Sequence, residues 1–163
     1  MQVWLDVTDI VDYNLTFINH SDLPNTFFCL SKDDPTSGFL CNASQVAGHV
    51  CGEQAEIVEH TAHDSLQQRL ILGSHLAHYL RRQLKEQKGY TSTVGISTSK
   101  MLSKLVGNAN KPNTQTTLFP PFPSNVTAFI DNHEVGKIPG IGFKMVRPVP
   151  SGGDTSSLDF RYS

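Results

Sequence analysis

The feature that most constrains this chain is a change of periodicity between residues 64 and 119. Leu66, Leu70, Leu76, Ala77, Leu80 and Leu84 recur at the three-to-four-residue spacing of a helix buried along one stripe. Asp64 with Gln67 supplies an N-cap and its capping-box partner, and Gly89 supplies a left-handed stop. Arg81, Arg82, Lys85 and Lys88 gather near the C-terminal end, where the helix dipole favours cations. Residues 90–97, YTSTVGIS, then switch to the β-branched and aromatic composition of a strand. A short helix over 99–107 follows, capped by Ser97 or Ser99, with Met101, Leu102, Leu105 and Val106 on its apolar side and Gly107-Asn108 at its end. Asn110-Lys111-Pro112-Asn113 is a turn, and TQTTLF over 114–119 a second strand. Strand, capped helix, turn and strand within so short a stretch predict a βαβ unit. That unit carries Lys100, Lys104 and Lys111, whose ammonium groups can meet phosphates or simply face solvent.

The flanking regions are less regular. Residues 3–11, VWLDVTDIV, alternate in part and predict a strand. Residues 14–55 hold short apolar runs and turn signals at Asp34-Pro35 and Ser37-Gly38, with weak helix signals over 23–31 and 43–52. Pro120, Pro121 and Pro123 make 120–124 a linker, and Val126, Phe129 and Ile130 suit a helix over 125–134. Beyond it, Lys137-Ile138-Pro139-Gly140-Ile141-Gly142 and Lys144 suit either a hairpin with exposed backbone N–H groups, a grip for phosphate that ignores base sequence, or an ordinary Gly/Pro turn. The tail over 148–163, rich in Pro, Gly and polar residues, is expected to be disordered.

Charge sharpens the picture. Residues 1–63 carry nine acids and one base, whereas residues 64–163 carry twelve bases and six acids. A basic block on a folded segment points to a polyanionic partner such as nucleic acid, and a solvated basic face is the plainer alternative. No stretch approaches the roughly 18 apolar residues of a membrane span. No secretory signal is expected, so the sequons at Asn14, Asn19, Asn42 and Asn125 are read as chance and Cys29, Cys41 and Cys51 as reduced thiols. The pairs His60/His63 and His75/His78 have metal-ligand spacing, but no Cys or carboxylate completes a site.

Residues 94–112 resemble the palm signature of the Y-family, or translesion, DNA polymerases. A VGIS strand at 94–97 leads to lysines spaced K-x-x-x-K at Lys100 and Lys104, then to the Lys111-Pro112 turn. IPGIG at 138–142 resembles the family's thumb hairpin, part of a helix-hairpin-helix motif, and VWLDVTDIVD at 3–12 resembles the strand after its catalytic acid pair. The three motifs occur in the family's order, and their flavour is that of the eukaryotic eta/iota branch, nearer iota. The resemblance covers roughly residues 2–12 and 64–146 and leaves 14–60 unassigned.

The resemblance implies an α/β (α+β) palm over 1–119 and a thumb start over 125–147. The palm would hold a mixed sheet of 2–12, 90–97 and 114–119, packed by helices 64–88 and 99–107. It implies that Lys111 contacts the triphosphate of an incoming deoxynucleoside triphosphate. It further implies that Lys100, Lys104, Lys137, Gly140, Ile141, Gly142 and Lys144 contact primer–template DNA, that the chain serves DNA repair on damaged DNA, and that it is nuclear. Nothing in the segment supports binding of a sliding clamp. The family uses Mg²⁺ held by carboxylates. By register the acid pair falls on Met1 and Gln2, a thioether and a neutral amide, so no catalytic or metal-ligating residue is assigned. Asp6 lies beyond that pair. The chain is therefore read as a truncated product or incomplete gene model that does not polymerise alone, is marginally stable, and is prone to aggregate. A degenerate palm that binds DNA or a partner without chemistry is the alternative.

Overall fold

The computed structural model describes residues 2–51 and 65–119. Their order is α1 (Thr8–Leu15), a single 3₁₀ turn (Leu23–Asn25), β1 (Thr26–Cys29), β2 (Gly38–Cys41), β3 (His49–Cys51), α2 (Ser65–Lys88), β4 (Val94–Ile96), α3 (Lys100–Val106) and β5 (Gln115–Leu118). The class is α/β, as the periodicities predict. The expected linker, thumb start and tail over 120–163 lie outside the described residues, as do Asp64, His60 and His63.

The βαβ unit forms as read. β4 and β5 are parallel, with Val94 opposite Gln115 and Ile96 opposite Thr117. The connection between them is α3, capped by the Ser99 hydroxyl, which accepts from the Leu102 amide at 3.2 Å. β5 is the central strand of three, with β3 on its other side, also parallel. A central parallel strand is covered on both faces, and all four residues of β5 are buried although three are polar. Leu118 packs with Leu102 and Val106 of α3, while Gln115 turns to α2, donating to the Ser74 carbonyl at 2.8 Å.

Glycine allows α3 to lie this close to the sheet. A Cβ on Gly95 would sit 1.9 Å from the Ser103 carbonyl oxygen and 2.6 Å from the Gly107 nitrogen. The helix ends at Gly107 as expected, but Gly107 stays right-handed, with φ −63°, so its lack of a side chain serves clearance. Gly89 does take that stop, with φ +72° after α2.

The second half of the molecule is an antiparallel hairpin, β1–β2, packed against α1 and α2. Val11, Phe28, Cys41, Ala43, Leu72 and Leu76 are its buried centre. Phe39 stacks between Phe28 and Tyr79, at ring-centroid distances of 5.2 and 4.5 Å. Asn14 on α1 acts as a surrogate strand: its side chain accepts from the Cys29 amide at 2.7 Å and donates to the Cys29 carbonyl at 2.9 Å.

Three expectations are corrected. The strand over 2–12 is an irregular lead over 2–7 followed by helix α1. Val7, Ile10, Val11, Asn14, Leu15 and Ile18 carry a helical period that outweighs the partial alternation before it. Asp6 starts the turn by accepting from the Thr8 amide at 3.0 Å and the Thr8 hydroxyl at 2.7 Å. The helix signal over 23–31 resolves into the 3₁₀ turn and β1, where Thr26, Phe27 and Phe28 favour a strand. The signal over 43–52 becomes β3, which takes the sheet position given to 2–12, so the three-stranded sheet is wholly parallel and antiparallel pairing among the described residues is confined to the hairpin. Gly48 before it has φ +91°, and a Cβ there would lie 2.5 Å from Gln115.

Candidate phosphate and nucleic-acid interface

Lys100 opens α3 just past the C-terminal end of β4, and Lys104 lies four residues on, one helical turn along the same side. Both are exposed. Lys111 is exposed on the turn that brings the chain back into β5, at the opposite end of the sheet from Lys100. The three lysines are therefore spread along the connection from β4 to β5, of which α3 alone spans about 10 Å over seven residues. The Asp6 carboxyl is held below its ordinary range by the Thr8 hydroxyl, then the Thr8 amide, with Lys100 adding a smaller attraction.

The turn bearing Lys111 is fixed by a residue that the helical pattern alone presents as one more C-terminal cation. Arg81 of α2 reaches across with its whole guanidinium. Nη2 donates to the Asn113 carbonyl at 2.7 Å and to Asn113 Oδ1 at 3.2 Å, Nη1 to Gln115 Oε1 at 3.3 Å, and Nε to the Ser92 carbonyl at 3.0 Å. The partial burial that this requires lowers the Arg81 pKa. Around the same turn, the Asn113 amide donates to the Thr93 hydroxyl at 3.1 Å, the Thr114 hydroxyl to the Asn110 carbonyl, and the Asn110 amide group to the Thr116 hydroxyl at 3.1 Å. The Lys111–Pro112 peptide is cis, and Asn113 has φ +51°. Lys111 is left projecting from a held loop, with no hydrogen bond or ion pair to another residue among those described.

Among the described residues, no three His, Cys, Asp or Glu side chains are grouped to hold a metal. Asp6 is turned to Thr8. Asp9 pairs with Lys32 at 2.6 Å and Asp12 with Arg69 at 2.6 Å. Gln2 offers a neutral amide. The His75 Nε2 donates to the carbonyls of Asn42 at 2.7 Å and Gln45 at 3.0 Å and so braces the loop after β2. His78 is exposed, and its pKa is lowered by partial burial first, then by Arg81, Arg82 and His75. Lys137, Gly140, Ile141, Gly142 and Lys144 lie outside the described residues.

Residues 2–108 match the family described as impB/mucB/samB. The chain is 28% identical over 144 residues to DNA polymerase iota of Mus musculus, covering 88% of this chain and 17% of that protein. It is 34% identical over 120 residues to DNA polymerase iota of Homo sapiens, covering 74% of this chain and 15% of that protein. Against DNA polymerase eta of Drosophila melanogaster it is 41% identical over 76 residues, covering 47% and 8%. The chain thus spans about a sixth of the length of the two iota polymerases.

Proposed function

The chain belongs to the impB/mucB/samB family, the Y-family DNA polymerases, and on that premise we propose that it is palm and early-thumb sequence of an iota-like translesion polymerase. Lys111 contacts the triphosphate of the incoming nucleotide. Lys100, Lys104, Lys137 and Lys144, with the backbone N–H groups of Gly140, Ile141 and Gly142, contact primer–template DNA. The chain acts in DNA repair on damaged DNA, and its location is the nucleus. No helix among the described residues is long and apolar enough to cross a membrane.

The observation that carries this reading is the held turn of the β4–α3–β5 unit. Phosphate recognition is favoured by a cation whose loop is set before the ligand arrives, because ordering a loose loop costs binding free energy. Lys111 stands on a loop braced by Arg81, Thr93 and Thr114, and the chain leaves its ammonium group available. By the family's register its acid pair falls on Met1 and Gln2, so no synthesis is expected from this chain alone in a primer-extension assay with Mg²⁺ and four nucleotides.

The direct test is binding of the purified chain to a primer–template duplex across a salt series. A dissociation constant of roughly micromolar order at low salt that weakens steeply as salt rises is the expected result. Lys111→Ala is expected to weaken triphosphate binding and leave duplex affinity nearly unchanged, whereas Gly140→Asp is expected to weaken the duplex alone. Salt-independent binding, or none from a folded chain at low salt, would defeat the proposal.

A further inference from the structure

We propose that Arg81 is the positioning residue for Lys111, a clamp that holds the Lys111-Pro112 turn at the distance from α2 where its ammonium group meets a phosphate. This inference rests on the reading of Lys111 given above and adds a residue that touches no ligand.

The argument begins with what the guanidinium can do that no other side chain can. Arginine presents five N–H donors in one rigid plane. Here Nε serves the Ser92 carbonyl, just ahead of β4, Nη2 serves Asn113, and Nη1 serves Gln115, at the start of β5. One side chain therefore ties together the entry to β4, the turn and the entry to β5. A lysine at the same place has a single charged nitrogen and cannot span three acceptors on different segments.

The clamp is anchored at both ends. Ser74, two helical turns before Arg81 on α2, accepts from the Ala47 amide at 2.9 Å, and its carbonyl accepts from the Gln115 side chain. Gln115 also donates to the Ala47 carbonyl at 2.7 Å. Its oxygen, the acceptor for Arg81, is thus fixed by both bonds of its own amide group. Arg81 in turn carries Asn113, two residues from Lys111. A displacement of the turn away from α2 breaks the Asn113 bonds first, and Lys111 moves with it.

Hydrogen exchange of the full chain, followed by mass spectrometry or NMR, separates this role from general destabilisation. In Arg81→Gln and Arg81→Lys, exchange across residues 111–116 is expected to speed up by about tenfold or more, since charge-assisted bonds are lost. Exchange at residues 70–77 in the core of α2 is expected to stay as in the wild type. Inorganic tripolyphosphate is the binding probe. Its affinity is expected to fall several-fold in both variants, and Arg81→Gln combined with Lys111→Ala is expected to bind no worse than Lys111→Ala alone. Unchanged exchange at 111–116 in Arg81→Gln, or full affinity in Arg81→Lys, overturns the clamp. Multiplying losses in the double variant show Arg81 binding phosphate directly, which also overturns it. A wild-type chain that does not bind tripolyphosphate while the turn still loosens in both variants overturns the ligand role of Lys111 and leaves the clamp standing.

Discussion

Cys41 shows how far one side chain's chemistry is set by where the fold puts it. It sits in the centre of the hairpin core beside Phe28, Val11 and Leu76. Burial there raises its thiol from the ordinary 9.0 to about 11. Because the folded pKa exceeds the unfolded one, the folded state retains the proton where the unfolded chain has lost it. The stabilisation is complete below pH 9.0 and declines as pH climbs toward about 11. Denaturant midpoints measured from pH 7 to 11 are expected to be flat at first and then to fall. Alkylation of Cys41 at pH 8 should likewise be slower than that of the unfolded protein. At this scale the sequence was a good guide to Ser99 and Gly89, whose conformational roles are local. It was a poor guide to Arg81 and Asn14, whose partners lie 11 to 34 and 15 residues away along the chain. Nothing in a one-dimensional pattern marks which helical arginine will turn inward.

Elements are legible where their period is clean. The 90–118 stretch gave strand, helix, turn and strand because each short segment has one dominant pattern and a capping residue at its border. The N-terminal stretch carries two patterns in succession, and the helical one won because Val7, Ile10, Val11 and Asn14 find the hairpin to pack against. β3 is not legible because three residues, two of them exposed, carry almost no period at all. Among the expected site residues, the positions of Lys100, Lys104 and Lys111 follow from these elements, while the separation of Lys100 and Lys111 to opposite ends of the sheet does not. The interlock of β4 with α3 offers the sharpest test at this scale. Gly95→Ala forces a methyl group into the Ser103 carbonyl, backbone that cannot rotate away. A loss of about 3 kcal/mol is expected from such overpacking, seen as a Tm lower by on the order of 10 °C. A variant that melts with the wild type would show α3 free to shift outward.

At the scale of the whole molecule, the described chain has two packed centres, the hairpin with α1 and α2, and the parallel sheet with α3. α2 serves both, through Leu72 and Leu76 on one side and Ser74 and Arg81 on the other. The parallel sheet has two outer strands of only three residues each, short enough to offer little to a neighbouring chain. The hairpin is guarded differently. Asn14 already occupies both backbone groups of Cys29 on the side of β1 away from β2. Replacing it with alanine is expected to cost about 1–3 kcal/mol through the two unmet groups, measurable by chemical denaturation. A stopper removed from an edge also changes how molecules meet one another. Beside that edge stand the exposed rings of Phe17 and Phe27. Solutions of Asn14→Ala should therefore scatter light sooner and at lower concentration than wild type, because the amide that completes the fold also keeps one molecule from becoming the template for the next.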